Sequence, residues 1–228
     1  MANFDNTTPH PAKLYDSQIR DTIPYYDSFH RETINLIKAI NIKPETWLDT
    51  GCGTGSLVEK ALEEFPDTNF ILANPSAEML TIARKRLAGM GRVRFLEPVP
   101  TQQLPAGNIG NCDVITAIQS HHYLPVEGRA KATNICNGLL SAGGVYVTFE
   151  NVRPMTERGI ETGKEYWRQF QLSRGRDADT VDAHIRRFNA EYFPITVMDH
   201  ISLMRGAGFS TVELLWYSYM QAGFYGTK

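Results

Sequence analysis

The sequence predicts a single α/β domain with a doubly wound, largely parallel sheet, and three observations carry that expectation. Short β-branched runs alternate with amphipathic helical stretches over residues 46–149. A glycine-rich segment, Leu48-Asp49-Thr50-Gly51-Cys52-Gly53-Thr54-Gly55-Ser56, stands at the first strand-to-helix junction. The 228 residues, 42% hydrophobic and 21% charged, suit one globular core with extra elements rather than two domains.

Over residues 13–40, Leu14, Ile19, Ile23, Tyr26, Phe29, Ile34, Ile37 and Ile40 recur at helical spacing. Pro24 divides this stretch into two helices, because proline lacks an N–H and blocks the turn behind it. Residues 46–49 read as the first strand and 57–65 as a helix stopped by Pro66. A second strand follows at 69–73, a helix at 77–87 and a third strand at 93–96. Turn formers fill 98–110, and 113–118 is a fourth strand. A helix over 126–140 ends at Gly143-Gly144, and 145–149 is the fifth strand.

Five strands separated by helices imply right-handed crossovers, hence a Rossmann-like sheet that takes ligands at its carboxyl end. After strand five the chain turns polar and arginine-rich, so 155–190 reads as a helical insertion capping the mouth of the sheet. A helix over 195–207 and an antiparallel hairpin over 211–225 complete the domain, 1–228, with 13–40 as a helical lid.

A formal net charge of −2 disfavours a broad grip on a nucleic-acid backbone. Cys52, Cys112 and Cys136 lie far apart with no Cys-x-x-Cys pair, which suggests neither a disulfide framework nor a zinc knuckle. The polar start lacks a secretory signal, and no apolar run approaches the roughly 20 residues of a membrane helix. A soluble, cytoplasmic monomer or homodimer is expected, with the aromatic tail 216–225 as a surface for pairing.

In the glycine turn, Gly51, Gly53 and Gly55 permit a tight bend and close approach to a ligand. Asp49 can face an ammonium group and the turn's N–H groups a carboxylate, so a nucleoside with an amino-acid tail fits. Ser56 stands where a dinucleotide turn wants glycine, and the Gly-Lys-Ser/Thr of a phosphate loop is missing.

The segment 48–56 resembles motif I of the class I S-adenosylmethionine (SAM)-dependent methyltransferases, and the order of elements extends the likeness over nearly the whole chain. The resemblance implies SAM as cofactor, S-adenosyl-L-homocysteine (SAH) as product and a small-molecule methyl acceptor. Asp49, Gly51, Cys52, Gly53, Gly55 and Gln119 would hold the cofactor, together with Asn74, Pro75 and Met79. The last three belong to Ala73-Asn74-Pro75-Ser76-Ala77-Glu78-Met79-Leu80, similar to the family segment where an acidic residue holds the ribose and a methionine packs on adenine. Here the acidic position is Asn74, which trades a charged acceptor for donors, and Val99 stands where relatives often carry aspartate. The 15–26 region and the tail also resemble the carboxy-SAM synthase branch of transfer-RNA modification. A carboxy-SAM synthase-like enzyme and a catalytically silent SAM-binding or sensing protein are therefore the alternatives.

Methyl transfer is an in-line displacement that asks for alignment, exclusion of water and, for a protonated acceptor, a base. His121 and His122, after strand four, are the candidate bases, with hydrogen bonding to neighbouring loops as the competing role. Adjacent histidines point apart and no third ligand is spaced to join them, so no metal is expected. Tyr15, Arg20, Tyr25 and Tyr26 in the lid, with Tyr123, Glu150, Arg153 and Trp167, are candidate substrate contacts. The run Arg174, Arg176, His184, Arg186 and Arg187 could bind a carboxylate, phosphate or RNA, but its interruption by Asp177, Asp179 and Asp182 favours a solvated helical face. Residue types leave open whether oxygen, nitrogen, sulfur or carbon is methylated.

Overall fold

A computed structural model describes residues 7–228. Strands β1 (Thr46–Thr50), β2 (Asn69–Ala73), β3 (Val93–Phe95) and β4 (Cys112–Ile118) run parallel, and β5 (Leu140–Asn151) runs parallel to β4. The C-terminal β6 (Thr211–Ser218) and β7 (Gln221–Thr227) complete one seven-stranded mixed sheet in the order β3-β2-β1-β4-β5-β7-β6. The strand order reverses between β1 and β4, and that switch point opens a crevice at the carboxyl ends.

The sheet is buried on both faces because neighbouring strand residues point opposite ways. Trp47, Phe70, Val114 and Val145 face one hydrophobic core; Leu48, Ile71, Ile115 and Tyr146 face the other. The first core takes α1 (Tyr15–Thr22), α2 (Tyr26–Ala39), α3 (Ser56–Glu64), α4 (Ala77–Arg86) and α7 (Glu157–Ser173) through residues such as Ile19, Phe29, Leu57, Leu80 and Trp167. The second takes α6 (Val126–Leu139) and α9 (Val197–Gly206) through Cys136 and Met204.

Several expectations need correction. Residues 98–110 hold a 3-10 turn, Thr101–Gln103, and one helical turn, α5 (Ala106–Ile109). Gly143-Gly144 does not end a helix: α6 stops at Leu139, and the glycines lie within β5 where the pairing slips between Cys112↔Leu140 and Val114↔Val145. Gly143, at φ +76°, makes that irregularity inexpensive. The hairpin is no appendage, since β7 pairs with β5 through Val147↔Tyr225. Phe224 is wholly buried there, so only part of the tail is exposed, Tyr217 among it, and β6 is left as the outer edge.

The insertion forms α7 and α8 (Ala178–Arg186), and α7 packs on α1, so the lid and the cap are one layer. Trp167 locks them together: its indole N–H donates to the Thr22 carbonyl at 2.7 Å and its ring is fully buried. Among the described residues no helix is long and apolar enough to cross a membrane.

Candidate active site

A pocket of about 530 Å³ opens at the carboxyl ends of β1, β2 and β4, within the range of small-molecule sites. The glycine turn forms one wall, and its three glycines do three different things. Gly51, at φ +74°, is needed because a Cβ there would sit 2.1 Å from the Ser120 hydroxyl oxygen. Gly53, at φ +54°, lies on the pocket wall, and a Cβ there would meet no protein atom within 4 Å. Gly55 sits behind the turn, where a Cβ would press on Leu87 and Ala83 at 3.1 and 3.3 Å and part α3 from α4. The N–H groups of Gly51 and Cys52 both donate to the Ala73 carbonyl, which ties the turn to the end of β2.

Asp49 lies beneath this turn rather than on the wall. It is 2% exposed, accepts from the Thr116 hydroxyl at 2.7 Å, and burial pushes its pKa up to about 7. Cys52 is also buried off the wall, its thiol pushed up by burial and then by the charge of Asp49. Asn74, Pro75, Met79 and Gln119 line the pocket as expected. The side-chain carbonyl of Asn74, expected to face a ligand, already accepts from the Ser76 N–H at 2.8 Å. The Val99 N–H donates to the Asn74 backbone carbonyl, so Val99 serves the turn through its main chain.

Both candidate bases lie off the pocket. His121 is 3% exposed, with Nε2 3.1 Å from the Thr101 hydroxyl and Nδ1 3.1 Å from the Tyr146 hydroxyl. Burial lowers its pKa to about 4, so it stays neutral. His122 is 1% exposed, with Nδ1 2.7 Å from a Glu150 oxygen and Nε2 3.3 Å from the Asn151 amide. Neither imidazole lines the pocket, and each engages both ring nitrogens with protein groups.

Glu150 is a brace rather than a substrate contact. Fully buried, it accepts from the N–H groups of His121 and His122 at 3.0 and 2.8 Å and from the Thr148 hydroxyl at 2.8 Å. Burial would raise its pKa, but the hydrogen bond from His122 and the electrostatic pull of the His122, His121 and His200 imidazoles outweigh that and hold it at about 2. The brace fixes the turn carrying Gln119, Ser120 and Tyr123, whose side chains do reach the pocket.

Of the lid residues only Tyr15 lines the pocket, with its hydroxyl 3.3 Å from that of Tyr26. Tyr26 is buried against Phe29 and His30. Arg20, on the outer face of α1, pairs with Asp27 at 2.7 Å, because Tyr15, Ile19 and Thr22 take the inward face. Tyr25 is 61% exposed against Trp216 and Tyr219, and Arg153 pairs with Glu157 at 2.9 Å. Trp167 is a core anchor, as described above. Thr7, Thr8, Thr101 and Ser120 line the pocket without having been singled out from the sequence. Thr101 and Ser120 follow the carboxyl ends of β3 and β4, which is the signal that would have found them. Among the described residues no three His, Cys, Asp or Glu side chains gather to hold a metal.

Residues 48–146 match a family model described as "Methyltransferase domain". Over 55 residues the chain is 34% identical to a malonyl-[acyl-carrier protein] O-methyltransferase of Halalkalibacterium halodurans, covering 24% of this chain and 20% of that protein. Human N-acetylserotonin methyltransferase, solved with SAM, superposes with a TM-score of 0.62 at 13% identity, over 94% of this chain and 57% of that one. An O-methyltransferase family protein from Burkholderia thailandensis gives 0.59 at 18% identity, over 94% and 61%. The fold is the α/β methyltransferase fold. The chain spans a fifth of the curated relative and about six-tenths of these two structures. The matched methyltransferase-domain stretch contains the glycine turn, Asn74, Met79, Gln119 and the two histidines; Tyr15, Glu150 and the cap lie outside it.

Proposed function

We propose that the protein is a SAM-dependent methyltransferase that methylates a small molecule and releases SAH. One observation carries this: Gly53 lines the pocket in a left-handed conformation, and where its side chain would be there is open space. A turn so shaped fits a ligand pressed against its backbone. The matched methyltransferase domain supports the same reading.

The residues present suit SAM. Gly51 and Gly53 would receive the amino-acid tail, with Asp49 behind them as the counter-charge to its ammonium group. Pro75 and Met79 would pack on the nucleoside, Asn74 would meet the ribose, and Thr101 and Gln119 would close the site on either side. Bound there, SAM supplies a methyl group on a positively charged sulfur.

The chain itself aligns and encloses. Tyr15 from the lid and Tyr123 from the braced turn both line the pocket, where their rings would shield a bound acceptor from water. Among the described wall residues none is a histidine, carboxylate or lysine, and burial pushes the Tyr123 hydroxyl up to about 12. Burial raises the Tyr15 hydroxyl as well. With no wall residue poised as a base near neutrality, the acceptor brings its own lone pair, and proximity and orientation do most of the work. The enclosure by α1 and Tyr123 favours a small acceptor over a macromolecule.

The test is a SAM titration of the wild type and of Gly53→Val. The variant should keep its far-ultraviolet circular dichroism and bind SAM more than about tenfold weaker, a loss above about 1.4 kcal/mol. Equal affinity in the variant would move the cofactor site elsewhere.

A further inference from the structure

Beyond Tyr15, Gln119 and Tyr123, which also line the large pocket, a narrow cavity of about 10 Å³ lies under the cap, with room for about one water molecule. Four polar atoms of its wall residues are buried without a hydrogen-bond partner among the described residues: Gln119 Nε2, His184 Nδ1, Arg187 Nη1 and the Tyr192 hydroxyl. Ten such side-chain atoms occur among the described residues, so four on one small cavity is a concentration that calls for a ligand. His184 and Tyr192 are 5% and 2% exposed, so bulk water does not satisfy them.

The surroundings are short of negative charge. Arg187 donates from Nε to Glu191 at 2.8 Å and from Nη2 to the Thr7 carbonyl at 2.7 Å, which fixes the guanidinium and leaves Nη1 over. Glu191 is half exposed, whereas the Arg187 side chain is 12% exposed. Arg176 adds a second, half-buried cation bonded to Thr22 and Gln171. Burial, and then the nearby Arg176 and Arg187, hold His184 neutral. The remaining walls are apolar or aromatic, including Ile19, Ile23 and the Tyr15, Tyr123 and Tyr192 rings.

We propose, on the reading that the large pocket holds SAM, that this cavity anchors the methyl acceptor by a terminal carboxylate, with Arg187 Nη1 and the Tyr192 hydroxyl donating to its oxygens. Gln119 Nε2 donates to the acceptor from the cofactor side, and the reacting atom lies on the large-pocket side of Gln119. A carboxylate head is planar and compact, matches a guanidinium edge, and brings the one charge that Arg187 and Arg176 together leave over against Glu191. A phosphate is bulkier and brings more charge than one guanidinium offsets. Tyr15 and Tyr123, shared with the large pocket, suit a flat apolar body that lies in that pocket behind the head. The acceptor class is a small, flat carboxylic acid whose carboxylate takes the place of the one water the cavity has room for and whose body lies in the large pocket.

The experiment is calorimetry on the full chain saturated with SAH, titrated with benzoate, uncharged benzamide and inorganic phosphate. Wild type should bind benzoate at least about tenfold tighter than either of the others. Tyr192→Phe, which keeps the ring, and Arg187→Gln should each weaken benzoate by about fivefold or more while SAH affinity stays within about twofold. Benzoate that fails to bind, binds no better than benzamide, or is indifferent to both substitutions overturns the subsite. Tighter phosphate overturns the carboxylate. Wild type that does not bind SAH overturns the cofactor reading instead, and the acceptor role with it.

Discussion

Asp49 is the residue where folding and ligand binding pull against each other. Its carboxyl is buried with one hydrogen bond, and burial raises its pKa to about 7. Between the unfolded value near 4 and that raised value, the folded state keeps a proton that the unfolded chain has lost, so the Asp49 contribution to stability falls as pH rises through this window. The full cost above pH 7 is of the order of 4 kcal/mol. Glu150 has the opposite sign: its pKa is held at about 2, so its contribution is present above about pH 4.5 and is lost only as pH falls toward 2. The buried His10, His30, His121, His184 and His200, whose pKa values burial lowers, add the opposite slope to wild type and Asp49→Asn alike, so the difference between the two isolates Asp49: urea unfolding at pH 5 and pH 8 should show the variant gaining on the wild type over the interval. A difference that is the same at both pH values would remove Asp49 as the cause.

At this same scale the sequence was uneven. The glycines were legible because a left-handed backbone writes itself into residue type. His121, His122, Glu150, Arg20 and Trp167 were legible as chemistry but not as direction. Their partners Tyr146, Asn151, Asp27 and Thr22 arrive from other elements, and no local pattern says which way a side chain turns. The basic run 174–187 is the same case in reverse. Arg174 pairs with Asp21 at the surface as a solvated face should, while His184 and Arg187 turn inward.

The cap and lid behave as one element because Trp167 of α7 bonds to α1. Trp167→Phe removes that hydrogen bond and part of the ring, at a cost of about 1–3 kcal/mol. Hydrogen exchange should quicken in α1 and α7 while amides of β1 and β4 keep their protection, because the loosened layer lies outside the central sheet. Exchange that rises evenly through the sheet would mean that the layer is not separable. Periodicity gave most helices and strands to within a residue or two. It failed for β5, where Gly143-Gly144 looked like a helix stop and is instead an irregularity inside a strand.

For the whole molecule, the pattern of crossovers led to the site: strand order reverses between β1 and β4, and the pocket lies there. That β7 would join β5 was not legible, since strand pairing between distant segments leaves no mark in either segment alone. The central claim is that the bend between β1 and α3 cradles an adenosyl amino acid. A crystal structure of the complex with SAH tests it most directly. The amino-acid tail should lie against Gly51 and Gly53, with the nucleoside between Met79 and Thr101. SAH bound anywhere else, with the Gly53 wall bare, would contradict it.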